Sequence, residues 1–155
     1  MSYPLPDMPQ PDLDGRQLTI GIVVARYNWH VTGAMLALAK ATLHEHGVAE
    51  SAIDTVYTPG SFELATAAQA LLSRKSYHAL ICFGCVMKGE TRHDVLVGDA
   101  AAQGIQRVAL DSGIPVIFGV ISAENRQQAE ARIVRGRECA EAAIEMARLT
   151  LPGAV

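Results

Sequence analysis

The chain is predicted to be an α/β domain in which helices cover both faces of a parallel sheet, and three observations predict it. Apolar runs of strand length alternate with helical segments throughout, the order that builds parallel strands joined by crossover helices. The first run, residues 18–25, is almost continuously apolar and rich in Ile and Val, as a strand buried on both faces must be. The length of 155 residues, half of them hydrophobic and 19% charged, suits one domain with a proper core. Right-handed crossovers restrict the possible topologies. No internal repeat, low-complexity tract or interdomain linker is read.

Residues 1–15 hold Pro4, Pro6, Pro9 and Pro11, which keep the segment extended and exclude a helix. It is either a loose terminus or an arm laid along a neighbouring subunit. Residues 16–155 form the single domain. The first strand ends at the polar edge Arg26-Tyr27-Asn28. A helix follows over about 31–46, where Val31, Met35, Leu36, Leu38, Ala39 and Leu43 recur at helical spacing and Gly47 supplies the stop. His44 and His46 point to different sides of that helix, so they read as surface residues and not as a metal pair.

Residues 53–57 are the second strand, and Thr58-Pro59-Gly60-Ser61 turns the chain into a helix over 62–72. Glu63 falls in its first turn, where a carboxylate complements the helix dipole. The third strand covers 79–83 or a little beyond, and the third helix 94–111, closed by Ser112-Gly113. Pro115 precedes the fourth strand, 116–120. Ser122 is expected to cap the next helix, with Glu124 in its first turn. The final helix reaches about Leu149, before Pro152-Gly153.

Charge and composition exclude several classes of function. A net charge of −3 at pH 7 gives the chain as a whole no attraction for nucleic acid or an anionic membrane. Aromatic residues at 5% leave little for stacking on single-stranded nucleic acid. No apolar run approaches the roughly 20 residues of a membrane-spanning helix. The amino end has no basic region followed by an apolar core, so no signal peptide is expected and the expectation is a cytoplasmic protein. Three cysteines cannot all pair within one chain. Cys82 and Cys85 form C-x-x-C, but residues three apart on a strand face opposite ways, so both read as free thiols; Cys139 reads as helix core.

The chemistry concentrates between Ile81 and Asp94. An apolar strand breaks at Gly84, Lys88 and Gly89, and a long helix begins, with Thr91 and Asp94 at the spacing of a capping box. Ligands bind where a strand's carboxyl end opens into a helix in open α/β sheets. Free N–H groups and the helix dipole there suit an anion such as phosphate. Lys88 adds a charge, and His93 a side chain able to move a proton near neutral pH.

Five segments together match a known family: Arg26-Tyr27-Asn28, Pro59-Gly60-Ser61-Phe62-Glu63, Gly89-Glu90-Thr91-Arg92-His93, Gly113-Ile114-Pro115-Val116-Ile117-Phe118-Gly119-Val120 and Ala143-Ile144-Glu145-Met146-Ala147. In this order and spacing the chain resembles the lumazine synthases of riboflavin biosynthesis. The resemblance implies a three-layer αβα, flavodoxin-like subunit with a four-stranded parallel sheet in order 2-1-3-4. It implies condensation of 5-amino-6-ribitylaminouracil with 3,4-dihydroxy-2-butanone 4-phosphate to 6,7-dimethyl-8-ribityllumazine. It implies no metal or organic cofactor. It also implies a homopentamer, alone, doubled, or multiplied into an icosahedral 60-mer, with active sites between neighbouring subunits.

By the same resemblance, Tyr27 stacks on the pyrimidine, with Asn28 beside it. Ser61 and Glu63 hold the ribityl chain, with Phe62 between them also in the substrate site, and Val86 and Met87 line the heterocycle, with Lys88 next to them. Glu90 and Thr91 bind phosphate, and His93 transfers protons. Phe118 and Arg132 come from the adjacent subunit, the first covering the ring and the second pairing with phosphate and joining His93 as a catalytic residue. Arg135 stands where the family commonly has a ligand-facing lysine. The chain departs from the family after Arg132, where only Ile133 and Val134 precede Arg135-Gly136. This join is shorter than usual, and the spacing of Ala129, Ile133, Gly136 and Ala140 would carry one helix through it. Two other functions share the fold: a shell or scaffold protein with weak catalysis, and a lumazine- or flavin-binding paralogue. Keeping Tyr27, Glu63, Thr91, His93 and Arg132 together favours the enzyme.

Overall fold

In the computed structural model, which describes residues 2–153, four strands form one parallel sheet. They are β1 (Ile20–Ala25), β2 (Ile53–Thr58), β3 (Ala79–Met87) and β4 (Val116–Ala123), in the order β2-β1-β3-β4. The helices are α1 (Trp29–Glu45), α2 (Leu64–Arg74), α3 (His93–Ser112), α4 (Arg126–Ala131) and α5 (Arg135–Thr150). Met1 and Ala154–Val155, the outer ends of the two expected segments, lie outside the described residues.

Alternation along β1 and β3 builds two cores. Ile20, Ile22, Val24, Ile81, Phe83 and Cys85 face α1 and α5, whose Met35, Leu43, Ala140 and Ile144 are fully buried against them. Val23, Ala25, Leu80 and Cys82 face α2 and α3, where Leu64, Ala68 and Ile105 cover them. The result is the three-layer flavodoxin-like arrangement. Cys82 and Cys85 thus belong to opposite faces, as strand geometry requires, and all three cysteines are buried free thiols. Burial pushes Cys82 up to about 12 and Cys85 up to about 11, so neither ionises readily near neutrality.

Two strands outrun the sequence expectation. β3 continues through Gly84 to Met87 because Gly84 is needed for close approach: a Cβ there would lie against the Ser61 side chain, with Leu64 Cδ1 at 3.2 Å. β4 continues to Ala123, which puts Ser122 inside the strand; the α4 cap is Asn125, whose Oδ1 accepts the Gln128 N–H at 2.9 Å. The Thr91–Asp94 capping box is also not made. Thr91 Oγ1 accepts instead from the His93 N–H at 3.3 Å.

The short join after Arg132 is a turn between two helices, not one continuous helix. Bonds from Arg132 N–H to Ala129 O, Ile133 to Glu130 and Arg135 to Arg132 span three residues each, tightening the path. α5 then starts hard against α1: a Cβ on Gly136 would sit 2.6 Å from the Met35 carbonyl oxygen. Residues 2–14 contain no helix or strand. Where this segment enters the domain, Arg148 of α5 donates to the carbonyls of Asp14 at 2.6 Å and Arg16 at 2.5 Å.

Candidate active site

The carboxyl ends of β1, β2 and β3 meet the amino ends of α1 and α3, as expected for a ligand crevice in an open α/β sheet. Between them lies a cavity of about 600 Å³. Three short hydrogen bonds shape its wall. Arg26 N–H donates to Thr58 O at 2.8 Å, Tyr27 N–H to Pro59 O at 2.9 Å, and Thr58 Oγ1 to Gly60 O at 3.0 Å. They zip the end of β1 to the turn after β2 and bring Tyr27 over Gly60. Asn28 then adopts a left-handed conformation (φ 62, ψ 46) that asparagine tolerates better than most residues. Its carbonyl accepts from Val31 and Thr32 to open α1.

Directly after Gly60, Ser61–Glu63 form one turn of 3-10 helix. The Glu63 carboxylate reaches back to accept the Gly60 N–H at 2.9 Å through Oε1. Ser61 is 5% exposed and its buried Oγ has no hydrogen-bond partner among the described residues. A buried hydroxyl without a partner is uncommon in native proteins. Its Oγ packs against Gly84, while the residue as a whole lines the cavity.

The structure brings Tyr27, Asn28, Ser61, Phe62, Glu63, Val86, Met87 and His93 to this one cavity. Lys88 and Arg132 line a second hollow of about 530 Å³, which shares Asp94 with the first. There Lys88 Nζ is 3.8 Å from Glu124 Oε1, and Arg132 donates to the Ser122 carbonyl at 2.6 Å. Glu90 and Thr91 are exposed in the loop between β3 and α3. Phe118, 40% exposed on the edge strand β4, lines neither space within its own chain. Arg135 pairs with Glu138 at 2.6 Å and likewise lines neither.

Sequence reasoning missed Cys85, Asp94, Leu96 and Val97, all of which line the cavity. Leu96 and Val97 lie three and four residues beyond His93, on the same face of α3. That spacing was the available signal, but an apolar pair in an amphipathic helix reads first as core. Leu96 is instead 68% exposed at the mouth. Among the described residues no three His, Cys, Asp or Glu side chains converge as metal ligands.

As a chemical environment the cavity combines a flat aromatic, an apolar strand edge, a carboxylate, a hydroxyl and an imidazole. That set suits a planar polar ring carrying a hydroxylated chain, with a proton-transfer group at one end.

Comparison with known proteins points the same way. Residues 17–150 match the family described as 6,7-dimethyl-8-ribityllumazine synthase. The 6,7-dimethyl-8-ribityllumazine synthase of Polaromonas sp. (strain JS666 / ATCC BAA-500) is 44% identical over 138 residues, covering 88% of this chain and 90% of the relative. The protein of the same name from Albidiferax ferrireducens (strain ATCC BAA-621 / DSM 15236 / T118) is also 44% identical, covering 88% of each chain. That from Acidovorax sp. (strain JS42) is 43% identical, covering 88% of this chain and 90% of its own.

Proposed function

The chain belongs to the 6,7-dimethyl-8-ribityllumazine synthase family, and from that premise we propose that the cavity beneath Tyr27 is its active site. The protein is a transferase of riboflavin biosynthesis. It condenses 5-amino-6-ribitylaminouracil with 3,4-dihydroxy-2-butanone 4-phosphate, with loss of phosphate and water. The observation that carries the site assignment is the convergence of Tyr27, Ser61, Glu63, Met87 and His93 on one cavity from four separate stretches of sequence.

In this reading the pyrimidine lies under the Tyr27 ring, against the edge of β3 at Val86 and Met87. The ribityl chain is held by Ser61 and the Glu63 carboxylate, beside Phe62. The arylamine attacks the ketone of the second substrate and forms an imine with loss of water. Elimination expels phosphate, and the second amine closes the ring on the remaining carbonyl with loss of a second water. Each step moves a proton, and His93, at the first position of α3, is the side chain placed to move it. Much of the acceleration comes from holding two substrates face to face. Phosphate is received by backbone N–H groups at Glu90 and Thr91, with Lys88 nearby, at the amino end of a 20-residue helix whose dipole favours anions.

The remaining groups come from a second copy. Phe118 and Arg132 stand away from the cavity of their own chain, and Phe118 sits exposed on a strand edge that no other strand pairs among the described residues. We assign Phe118 of the neighbour to cover the ring and Arg132 of the neighbour to pair with the phosphate, where a guanidinium gives strong charge-assisted bonds. Arg135 brings a further charge near the same junction. The assembly is a homopentamer or a multiple of pentamers, with residues 1–15 as an arm along the adjacent subunit, and the enzyme works in the cytoplasm. Among the described residues no helix is long and apolar enough to cross a membrane. The direct test mixes the protein with both substrates and follows phosphate release and lumazine fluorescence; a rate no greater than buffer would leave a scaffold of the same fold.

A further inference from the structure

The sheet changes width at the cavity. β1 makes its last rung with β3 at Val24 and Phe83, whereas β3 runs on to Met87. Even-numbered residues of β3 turn their backbone groups toward β4: Leu80 N–H donates to Pro115 O and Lys88 N–H to Ala123 O. Its odd-numbered residues therefore face the β1 side. Past Phe83 that side has no strand among the described residues.

One side chain takes the place of the missing strand. Asn28 Nδ2 donates to the Cys85 carbonyl at 2.9 Å. The left-handed backbone at Asn28 makes this possible, because it turns the chain out of β1 and into α1 while the side chain stays at the sheet edge. Two residues further on, the N–H and C=O of Met87 point the same way as those of Cys85, toward the cavity that Met87 lines.

We infer that Asn28 is a positioning residue that sets the register of the pyrimidine on β3. Its amide fills the Cys85 rung and ends the sheet there, so the first rung open to the polar edge of a flat ring is Met87. Without the amide two rungs are open, and the ring slides relative to Tyr27 above it and His93 at its end. Asn28 thus acts through the Cys85 carbonyl and not by touching the reacting atoms. The inference rests on the proposal that the ring lies beneath Tyr27.

Two substitutions in the full-length protein separate the possibilities. Asn28→Gly removes the amide and keeps the left-handed backbone, which glycine adopts more easily than asparagine. Asn28→Asp keeps the shape but sets an acceptor against an acceptor. Steady-state kinetics with each substrate varied in turn is the readout, beside circular dichroism and solution mass. Both variants are expected to raise the KM for the pyrimidine about tenfold, the upper end of what one half-buried hydrogen bond contributes. The KM for the butanone phosphate should stay within about twofold of wild type. An equal rise in both KM values, or a wild-type pyrimidine KM in Asn28→Gly, overturns the inference. Should Asn28→Asp fail to fold, Asn28→Gly decides alone. Tyr27→Ala marks which idea has failed. If it raises the pyrimidine KM while Asn28→Gly does not, the register inference falls and the ring stays beneath Tyr27. If neither does, the placement of the ring itself is wrong.

Discussion

The ring of Tyr27 rests on Gly60 so closely that a Cβ built on that glycine would stand 2.8 Å from Cδ2 and 3.1 Å from Cε2. The backbone of Gly60 is extended (φ −133), so glycine is required there by the aromatic ring above it and not by its dihedral angles. The same residue holds Glu63 through its N–H. One glycine thus sets the height of the aromatic cover and the placement of the carboxylate.

Gly60→Ala should therefore impair substrate binding more than folding. The added methyl pushes the exposed Tyr27 ring outward, with a strain cost of about 1–3 kcal/mol if it cannot yield fully. Steady-state kinetics should show a raised pyrimidine KM, and thermal unfolding only a small shift. A large loss of stability with unchanged KM would mean that the contact is structural.

His93→Ala should slow turnover by about ten- to a hundredfold, at or below the low end of general acid–base effects, because positioning supplies much of the acceleration. The oligomer should remain intact by light scattering. Loss of the oligomer would make His93 a structural residue.

Arg132→Ala should weaken use of the butanone phosphate far more than binding of the pyrimidine. A charge-assisted contact removed from a phosphate costs about 1.5–3 kcal/mol, or roughly ten- to a hundredfold in KM. Equal losses for both substrates would move Arg132 out of the phosphate site. In its own chain Arg132 bonds Ser122 O through Nη1 alone, and a guanidinium carries further N–H donors with which to meet a phosphate.

Away from the cavity, Asp54 ties β2 to the segment before β3. It accepts from Lys75 Nζ at 2.8 Å and Tyr77 Oη at 2.7 Å. The Lys75 bond, then the Tyr77 bond, hold its carboxyl below the usual range. Burial, then the Asp54 bond, push Tyr77 up to about 12. A depressed carboxyl pKa stabilises the fold fully above the unfolded value near pH 4 and loses its effect as pH falls through the folded value. A raised tyrosine pKa is the converse: its contribution is full below about pH 10 and lost as pH rises toward the folded value. Urea unfolding of Asp54→Asn should differ from wild type at about pH 7, and the gap should narrow progressively as pH falls below the unfolded value of about 4. A gap that persists unchanged in acid would contradict the assignment.

Much of the fold was legible because its signals are local and redundant. The apolar run that forms β1 is buried on both faces, and the alternation of strands and helices leaves few topologies. Errors fell where a long-range contact overrides a local signal. Gly84 looks like a strand breaker, yet it lies inside β3 because Ser61 packs on it from 23 residues earlier in the chain. Ser122 looks like a cap, yet its pairing with Val86 keeps it in β4 and leaves the cap to Asn125. In the site, Tyr27, Ser61, Glu63 and His93 stand out because polar and aromatic residues at strand ends have no core role to play. Cys85 and Leu96 do not stand out, since each is a residue type that usually fills cores; Cys85 does belong to the core and still borders the cavity, and Leu96 is exposed beside it. The amide of Asn28 was legible as polar and near the site, but its bond to Cys85 spans 57 residues of sequence.

If each site is built from two chains, mixing two differently damaged chains should restore activity. One chain carries Tyr27→Ala with His93→Ala, and the other carries Arg132→Ala. Each is assayed alone, then after the two are unfolded and reassembled together. If Arg132 acts on the neighbour's cavity, some junctions in the mixed assembly pair an intact cavity with an intact arginine, and activity should rise toward about a quarter of wild type. If the mixture is no more active than the average of its two components, cavity and arginine belong to the same chain and the account is contradicted.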